Sequence, residues 1–280
     1  MSSILTNNGA IVALQTLKNV NSNLNKAQSE IATGKVIAKA SDNAALWAIS
    51  KVMETDQEAA KTLQSSLNVA NATVTTALAG SDQIVTLLTD MKKLAASAAT
   101  DGLDFVKAQD QITKKMDQIT AIVSGTQMNG VNLLSTNGID GGATFTTLAS
   151  LDRTVGAAAT TANVITVDSL DYEADIVGAT LTTIASQADA QTAVGEIEAL
   201  LEIAINGSAA LGAASARITD QSKFVGSLAD SLKAGIGSLV DADMEEASAR
   251  LQALQTQQQL GIQALSIANQ APSAILSLFR

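Results

Sequence analysis

The chain has 280 residues, a net charge of −10 and no His or Cys, so it lacks the commonest general base and metal ligand, and it has no disulfides, thiolate nucleophiles or Cys-based zinc sites. The acidic balance reads as a solvated surface and opposes nonspecific binding to nucleic acid or anionic lipid. Aromatic residues are only 2% and Pro272 is the single Pro, which points to a core of Leu, Ile, Val and Ala built from long, closely packed helices.

The first element is a helix from about Ile4 to Thr33. Ala10, Ala13, Leu17, Val20, Leu24, Ala27 and Ile31 recur at alternating steps of three and four, the spacing of a heptad seam. Gly34 is the expected stop. The seam holds three Ala and buries little, so it needs a partner helix. A second helix starts near Ser41 or Asp42 as cap and carries Leu46, Ile49, Val52, Met53, Leu63, Leu67, Ala70, Val74, Ala77, Leu78, Val85, Leu88, Met91 and Leu94 to about Ala99. Gly80 is an internal weak point in it. Trp47 reads as a core ring or a subunit contact. After a turn at Thr100–Gly102, a third helix places Phe105, Ala108, Ile112, Met116, Ile119 and Val123 on one stripe and ends before Gly125.

From about Gln127 to Ile184 the chain turns rich in Gly, Thr, Asn and Val. Thr144–Leu148, Val164–Val167 and Leu181–Ile184 read as short strands between Gly and Asn turns, among them the cluster at residues 137–144. A fourth helix then steps by four and three through Ile197, Leu201, Ala204, Ser208, Leu211, Ser215, Ile218, Ser222, Val225, Ala229, Leu232, Ile236 and Leu239. The register breaks at Val240–Asp243, where Asp241 and Asp243 are candidate caps. The last seam is Met244, Ala247, Leu251, Leu254, Gln258, Gly261, Leu265 and Ala268. Polar Gln258 and small Gly261 on that seam specify a partner and a register. Beyond Pro272 comes an apolar tail with Leu276 and Phe279.

The fold class is therefore mainly α: a long antiparallel helical bundle or coiled coil with a small β-hairpin region in the middle. The organisation expected is an N-terminal arm at 1–40, a helical rod at 41–135, a small β and loop region at 136–185, the return of the rod at 186–240 and a C-terminal arm at 241–280. The N-arm seam (with Ile4) and the C-arm seam (with Leu276 and Phe279) are the candidate polymerisation residues. A head-to-tail contact through them builds an open filament.

No catalytic, cofactor-binding or metal site is expected. Lys92-Lys93 and Lys114-Lys115 read as solvated helix faces. Asp241, Asp243, Glu245 and Glu246 lack the spacing of a calcium loop, and the glycines form no phosphate loop. The start has no basic segment followed by an apolar run, and no stretch of about 18 apolar residues occurs, so neither a cleaved signal peptide nor a membrane span is expected.

Four motifs in order resemble bacterial flagellin. Ser3-Ile4-Leu5-Thr6-Asn7-Asn8 is similar to that family's S-I-x-T-N start. Ala40-Ser41-Asp42-Asn43-Ala44-Ala45, preceded by Ser29–Lys35, resembles its S-x-G-x-R-I-x-x-A-x-D-D-A-A-G region. Gln127-Met128-Asn129-Gly130-Val131-Asn132-Leu133-Leu134 resembles its Q-F-N-G-x-x-L-L turn. Gln263–Pro272 followed by Leu276–Phe279 resembles its closing pattern. The resemblance covers roughly residues 1–135 and 190–280. It implies an extracellular filament subunit whose arms form an inner tube. It also implies export through the flagellar type III apparatus with a secretion chaperone, contact with filament cap and hook–filament junction proteins, and no cofactor. O-linked glycans on Ser or Thr of 135–210 are a further family-level implication. In many flagellins the segment matching 88–95 reads L-Q-R-V-R-E-L-A and is bound by a vertebrate innate-immune receptor. Here Asp90, Met91, Lys92, Lys93 and Leu94 stand there, with two charges reversed, which implies poor recognition. The alternative is a cytoplasmic signalling or other structural coiled coil. That would need heptads running unbroken to a hairpin tip, which the Thr- and Gly-rich middle opposes.

Overall fold

The computed structural model describes residues 7–100, 104–136, 144–150 and 163–278, with 271–278 described by backbone alone. Ile4, Phe279 and the turn cluster at 137–143 lie outside the described residues, as does the side chain of Leu276. The elements are α1 (Asn8–Thr33), α2 (Ala44–Ala98), α3 (Phe105–Gly125), β1 (Thr144–Leu148), β2 (Val164–Asp168), a π-helical turn (Glu173–Val177), α4 (Gln187–Val240) and α5 (Met244–Leu278). They fall into two compact units: Met1–Gln57 with Asp230–Arg280, and Glu58–Ala229.

The unit of residues 58–229 is a helical body with a β appendage. Its core is built from the expected stripes: Leu67, Val74, Leu88 and Met91 of α2, Ile112, Ile119 and Val123 of α3, and Ile197, Leu211, Ile218 and Val225 of α4. α2 and α4 run antiparallel, and Ser215 Oγ donates to Asn71 Oδ1 at 2.9 Å while Ser222 Oγ donates to Asn68 Oδ1 at 3.0 Å. The Ser positions of the α4 seam are thus its polar rungs, alternating with aliphatic layers. Among the described residues α4 alone is long and apolar enough to cross a membrane, but its large seam residues Ile197, Leu211 and Ile218 are turned into this core.

Several expectations need correction. Gly80, the weak point read in α2, does not interrupt it: the helix runs through unbroken. A Cβ there would stand 2.6 Å from Thr126 Oγ1 and 3.0 Å from Leu134 Cδ1, so the glycine lets the α3 exit and the following loop lie against the helix. Asn43, not Ser41 or Asp42, caps α2: its Oδ1 accepts from Ala45 N and Leu46 N. Asp42 instead accepts from Ala38 N and Lys39 N and closes the turn before the helix. Ile49 and Val52 are exposed and not on the buried face of α2. α3 ends on Gly125 itself, with Thr126 as its C-cap.

In the middle, β1 and β2 pair antiparallel with Thr144 opposite Asp168 and Leu148 opposite Val164. A two-stranded ribbon is marginal alone; here Ile165 and Val167 enter the core, and Gln221 Nε2 donates to Ala149 O at 2.6 Å. Leu181–Ile184 is not a strand. Side chains satisfy its backbone: Thr182 N donates to Glu196 of α4 at 2.6 Å and Ile184 N to Gln109 of α3 at 2.9 Å.

In the other unit, α1 is capped by Asn7, whose side chain accepts from Ala10 N, and it stops at Gly34 with φ of 69°. Asp243 caps α5 by accepting from Glu245 N and Glu246 N. Asp241 does not cap it: it sits in a two-residue bridge opposite Lys35. The helix α5 continues through Pro272 to Leu278.

Candidate functional site

The site is a helix pair and not a pocket. α1 and α5 pack antiparallel along the seams read from the sequence. Leu24, Ala27 and Leu254 are buried together, with Val20 and Leu251 against them. Ala10, Ala13, Leu17, Ile31, Gln258, Gly261, Leu265 and Ala268 are half-buried. Met244 departs from the seam and is exposed, because it opens α5 just beyond the cap.

Polar contacts run beside this thin apolar line. Asn7 Nδ2 donates to Ala268 O at 2.7 Å, so the residue that caps α1 also ties down α5. Gln258 Nε2 donates to Asn21 Oδ1 at 2.7 Å. Glu30 is the one charged residue buried among the described residues; Arg250 Nη1 lies 3.8 Å and Lys26 Nζ 4.0 Å from its carboxylate. Gly261 sits against Leu17, where a Cβ would lie 3.2 Å from Leu17 Cδ1.

Where the arms begin, two breaks in the helices are held together. Val36 N donates to Val240 O at 2.8 Å and Ala242 N to Gly34 O at 2.9 Å. Ile37, Ile236 and Val240 are buried beneath this bridge, with Trp47, Leu46, Met53 and Leu239 packed on them. Lys35 pairs with Glu54 at 3.1 Å. Hydrogen bonds from Lys51 first and Lys35 second hold the Glu54 carboxyl below its ordinary value.

The pair leaves apolar side chains outside. Ile11, Val12 and Leu14 on α1 and Leu260, Ile262 and Ile267 on α5 are exposed, from 45% for Leu14 to 70% for Ile267. These six large apolar side chains are open to a partner on more than one side of the pair.

Chemistry has no comparable focus. Among the described residues no three Asp, Glu, His or Cys side chains could hold a metal ion together. A groove of about 720 Å³ at the start of α3 is lined by Asp104, Phe105, Val106, Asp110, Thr113 and Ile184 among others. Two hydroxyls line it, those of Thr113 and Thr183; Thr113 Oγ1 donates to Gln109 O, and the carboxylates of Asp104 and Asp110 pair with Lys107 and Lys114.

Comparison with known proteins decides the matter. The bacterial flagellin N-terminal helical region matches residues 4–138, and the bacterial flagellin C-terminal helical region matches residues 194–279. Flagellin FljM of Caulobacter vibrioides is 42% identical over 284 residues, covering 100% of this chain and 99% of its own.

The chain belongs to the bacterial flagellin family.

Flagellin of Brucella melitensis biotype 1 is 40% identical over 287 residues, with 100% of both chains covered. The crystal structure of Bacillus cereus flagellin aligns with 66% of this chain and 94% of its own at 21% identity and a TM-score of 0.41. Flagellins are the structural, self-assembling subunits of the extracellular flagellar filament that drives swimming, and this chain is one of them.

In this flagellin the motif residues have structural work. Asn7, from the opening motif, reaches Ala268, from the closing one. Asn129 and Gly130, with φ of 51° and 83°, turn the chain between Met128 and Val131, which exchange two backbone hydrogen bonds of 3.0 Å. Asn132 Nδ2 then donates to Val123 O at 2.7 Å, and Leu133 and Leu134 enter the core. Within the segment at 90–94, Met91 is fully buried. Asp90 accepts from Lys115 at 3.2 Å and Lys93 at 3.4 Å, which in that order hold its carboxyl below the ordinary value. Lys92 pairs with Glu198 at 3.1 Å.

The sequence reading missed Asn7, Asn21, Glu30 and Arg250 as site residues. Each stands off the apolar seam, so a search for hydrophobic periodicity passes over it. It also missed the network under the π-helical turn. There Tyr172 Oη donates to Ala204 O at 3.0 Å and lies 2.7 Å from Ser81 Oγ, which in turn lies 2.8 Å from Ser208 Oγ. A lone Tyr and a glycine inside a long helix were the available signals.

Proposed function

We propose that α1 and α5, with Ile4, Leu276 and Phe279 at their outer ends, pair as the arms that build the inner tube of the filament. In this reading 1–40 and 241–280 are the tube-forming arms, 41–135 and 186–240 form the rod outside them, and 136–185 is a small surface region. The observation that carries it is the set of large apolar side chains left exposed around an already paired α1 and α5: Ile11, Val12 and Leu14 with Leu260, Ile262 and Ile267. One pairing satisfies one seam, and copies of the same chain supply cover for the rest.

The subunit is not an enzyme in this reading, takes no cofactor, and acts by assembly alone. Family resemblance supplies the remaining partners: the flagellar export apparatus and a secretion chaperone, then the cap and the hook–filament junction proteins. It also supplies a route out of the cell without cleavage of a leader, which mass spectrometry of filament protein checks by its N-terminal peptide.

Electron microscopy of the purified full chain tests assembly. Long helical filaments are expected. Soluble dimers that never elongate would favour a signalling coiled coil instead.

A further inference from the structure

We propose that Asn21, Glu30, Arg250, Gln258 and Gly261 form a register code that admits one alignment of the C-arm against the N-arm. The inference deepens the assembly reading, because only arms paired in one register present the same outer face on every subunit.

The apolar seam cannot choose a register by itself. Leu and Ala recur every seven residues on both helices, so sliding α5 by a heptad again sets aliphatic residues against aliphatic residues. The code residues break that degeneracy. Gln258 donates to Asn21 at 2.7 Å; one heptad to either side of Gln258 stand Leu251 and Leu265. Either slip would put an aliphatic chain where Asn21 needs a polar partner. Arg250 lies 3.8 Å from Glu30, whose residue is only 6% exposed. One heptad toward the N-terminus of Arg250 is Asp243, a second carboxylate; one heptad toward the C-terminus is Gln257, with no charge. A slipped pairing therefore sets a like charge or an uncharged side chain of α5 beside buried Glu30, which keeps only Lys26 of its own helix, 4.0 Å away. Steric fit adds a third discrimination. A Cβ at Gly261 would stand 3.2 Å from Leu17 Cδ1, and one heptad away are Leu254 and Ala268, both larger. Each wrong register is thus penalised at the polar rung, the charge and the fit together.

The absence of Cys from the chain makes this directly readable. A Cβ at position 261 would lie 4.0 Å from Leu17 Cβ, within the spacing a disulfide needs. Leu17→Cys with Gly261→Cys reports the native register. Leu17→Cys with Leu254→Cys, or with Ala268→Cys, reports the two slipped ones. Each pair is oxidised in the full chain, and the intrachain disulfide is counted by gel mobility and mass spectrometry, in filaments and in soluble protein. The native pair is expected to exceed each slipped pair by about tenfold or more, the scale of one lost buried hydrogen bond. Adding Asn21→Leu, Gln258→Leu and Glu30→Gln is expected to bring that ratio close to one. Exchanging the rung as Asn21→Gln with Gln258→Asn is expected to keep it, which a merely apolar requirement at the seam would not explain. Equal cross-linking of all pairs in the native background would overturn the code, as would an unchanged ratio after the triple substitution. A full native-register disulfide in chain that never polymerises would instead count against the assembly reading and leave the code standing.

Discussion

At Gly207 a single methyl group would collide with Tyr172 Oη and stand 2.8 Å from Leu170 Cδ1. The phenol it would displace is fully buried and bonded to Ser81 and Ala204. Gly207→Ala is therefore expected to cost about 1–3 kcal/mol by overpacking. Gly212→Ala, on the same helix with nothing within 4 Å of its Cβ, is expected to gain up to about 1 kcal/mol of helix propensity. Urea unfolding of the two variants checks both signs. Burial, partly offset by the Ser81 hydrogen bond, raises the Tyr172 hydroxyl above its ordinary value. The folded state thus holds its proton more tightly than the unfolded chain. Stability from the neutral phenol is full below about pH 10, the unfolded value, and is lost as pH rises through it towards the folded one. Tyr172→Phe should flatten that alkaline loss in a pH series of melts; an equally steep loss would remove Tyr172 as its cause. At Asp90 and Lys93 the reversed charges are tied into pairs with Lys115 and with each other. The chain is expected to give a weak response in a cell reporter for the innate-immune flagellin receptor, and a full response would contradict that reading.

Among the helices, the arms are the thin element. Leu24, Ala27 and Leu254 make a small buried cluster between α1 and α5, whereas the body of residues 58–229 holds a large continuous core. Leu24→Ala or Leu254→Ala removes about 2–5 kcal/mol of packing from this small cluster. Either variant is expected to keep the main thermal transition of the body while the polymer yield by sedimentation falls at least about tenfold. Polymerisation at the native level would show that the seam is not what holds the arms. The seam is also where the sequence was most legible. Heptad spacing on α1 and α5, and the stripes of α3 and α4, depend only on local period, and the helices bury those faces. Legibility failed wherever a distant side chain decides. Leu181–Ile184 has the β-rich look of a strand, but Glu196 and Gln109 occupy its donors. Gly80 resembles a break until Thr126 and Leu134 are set beside it. Met244 continues the spacing but falls on the exposed first turn of its helix.

For the molecule as a whole, the proposed assembly rests on the two ends of one chain reaching each other. Asn7 and Ala268 lie 261 residues apart in sequence, and the bridge between Lys35 and Asp241 closes the same pairing at its other end. The most direct test removes one arm at a time, residues 1–35 or 241–280, and measures polymer by sedimentation and electron microscopy beside a circular dichroism melt. Each truncated chain is expected to keep a cooperative, helical body and to form no filaments. Filaments of normal length from either truncated chain would contradict the claim that paired terminal arms build this polymer.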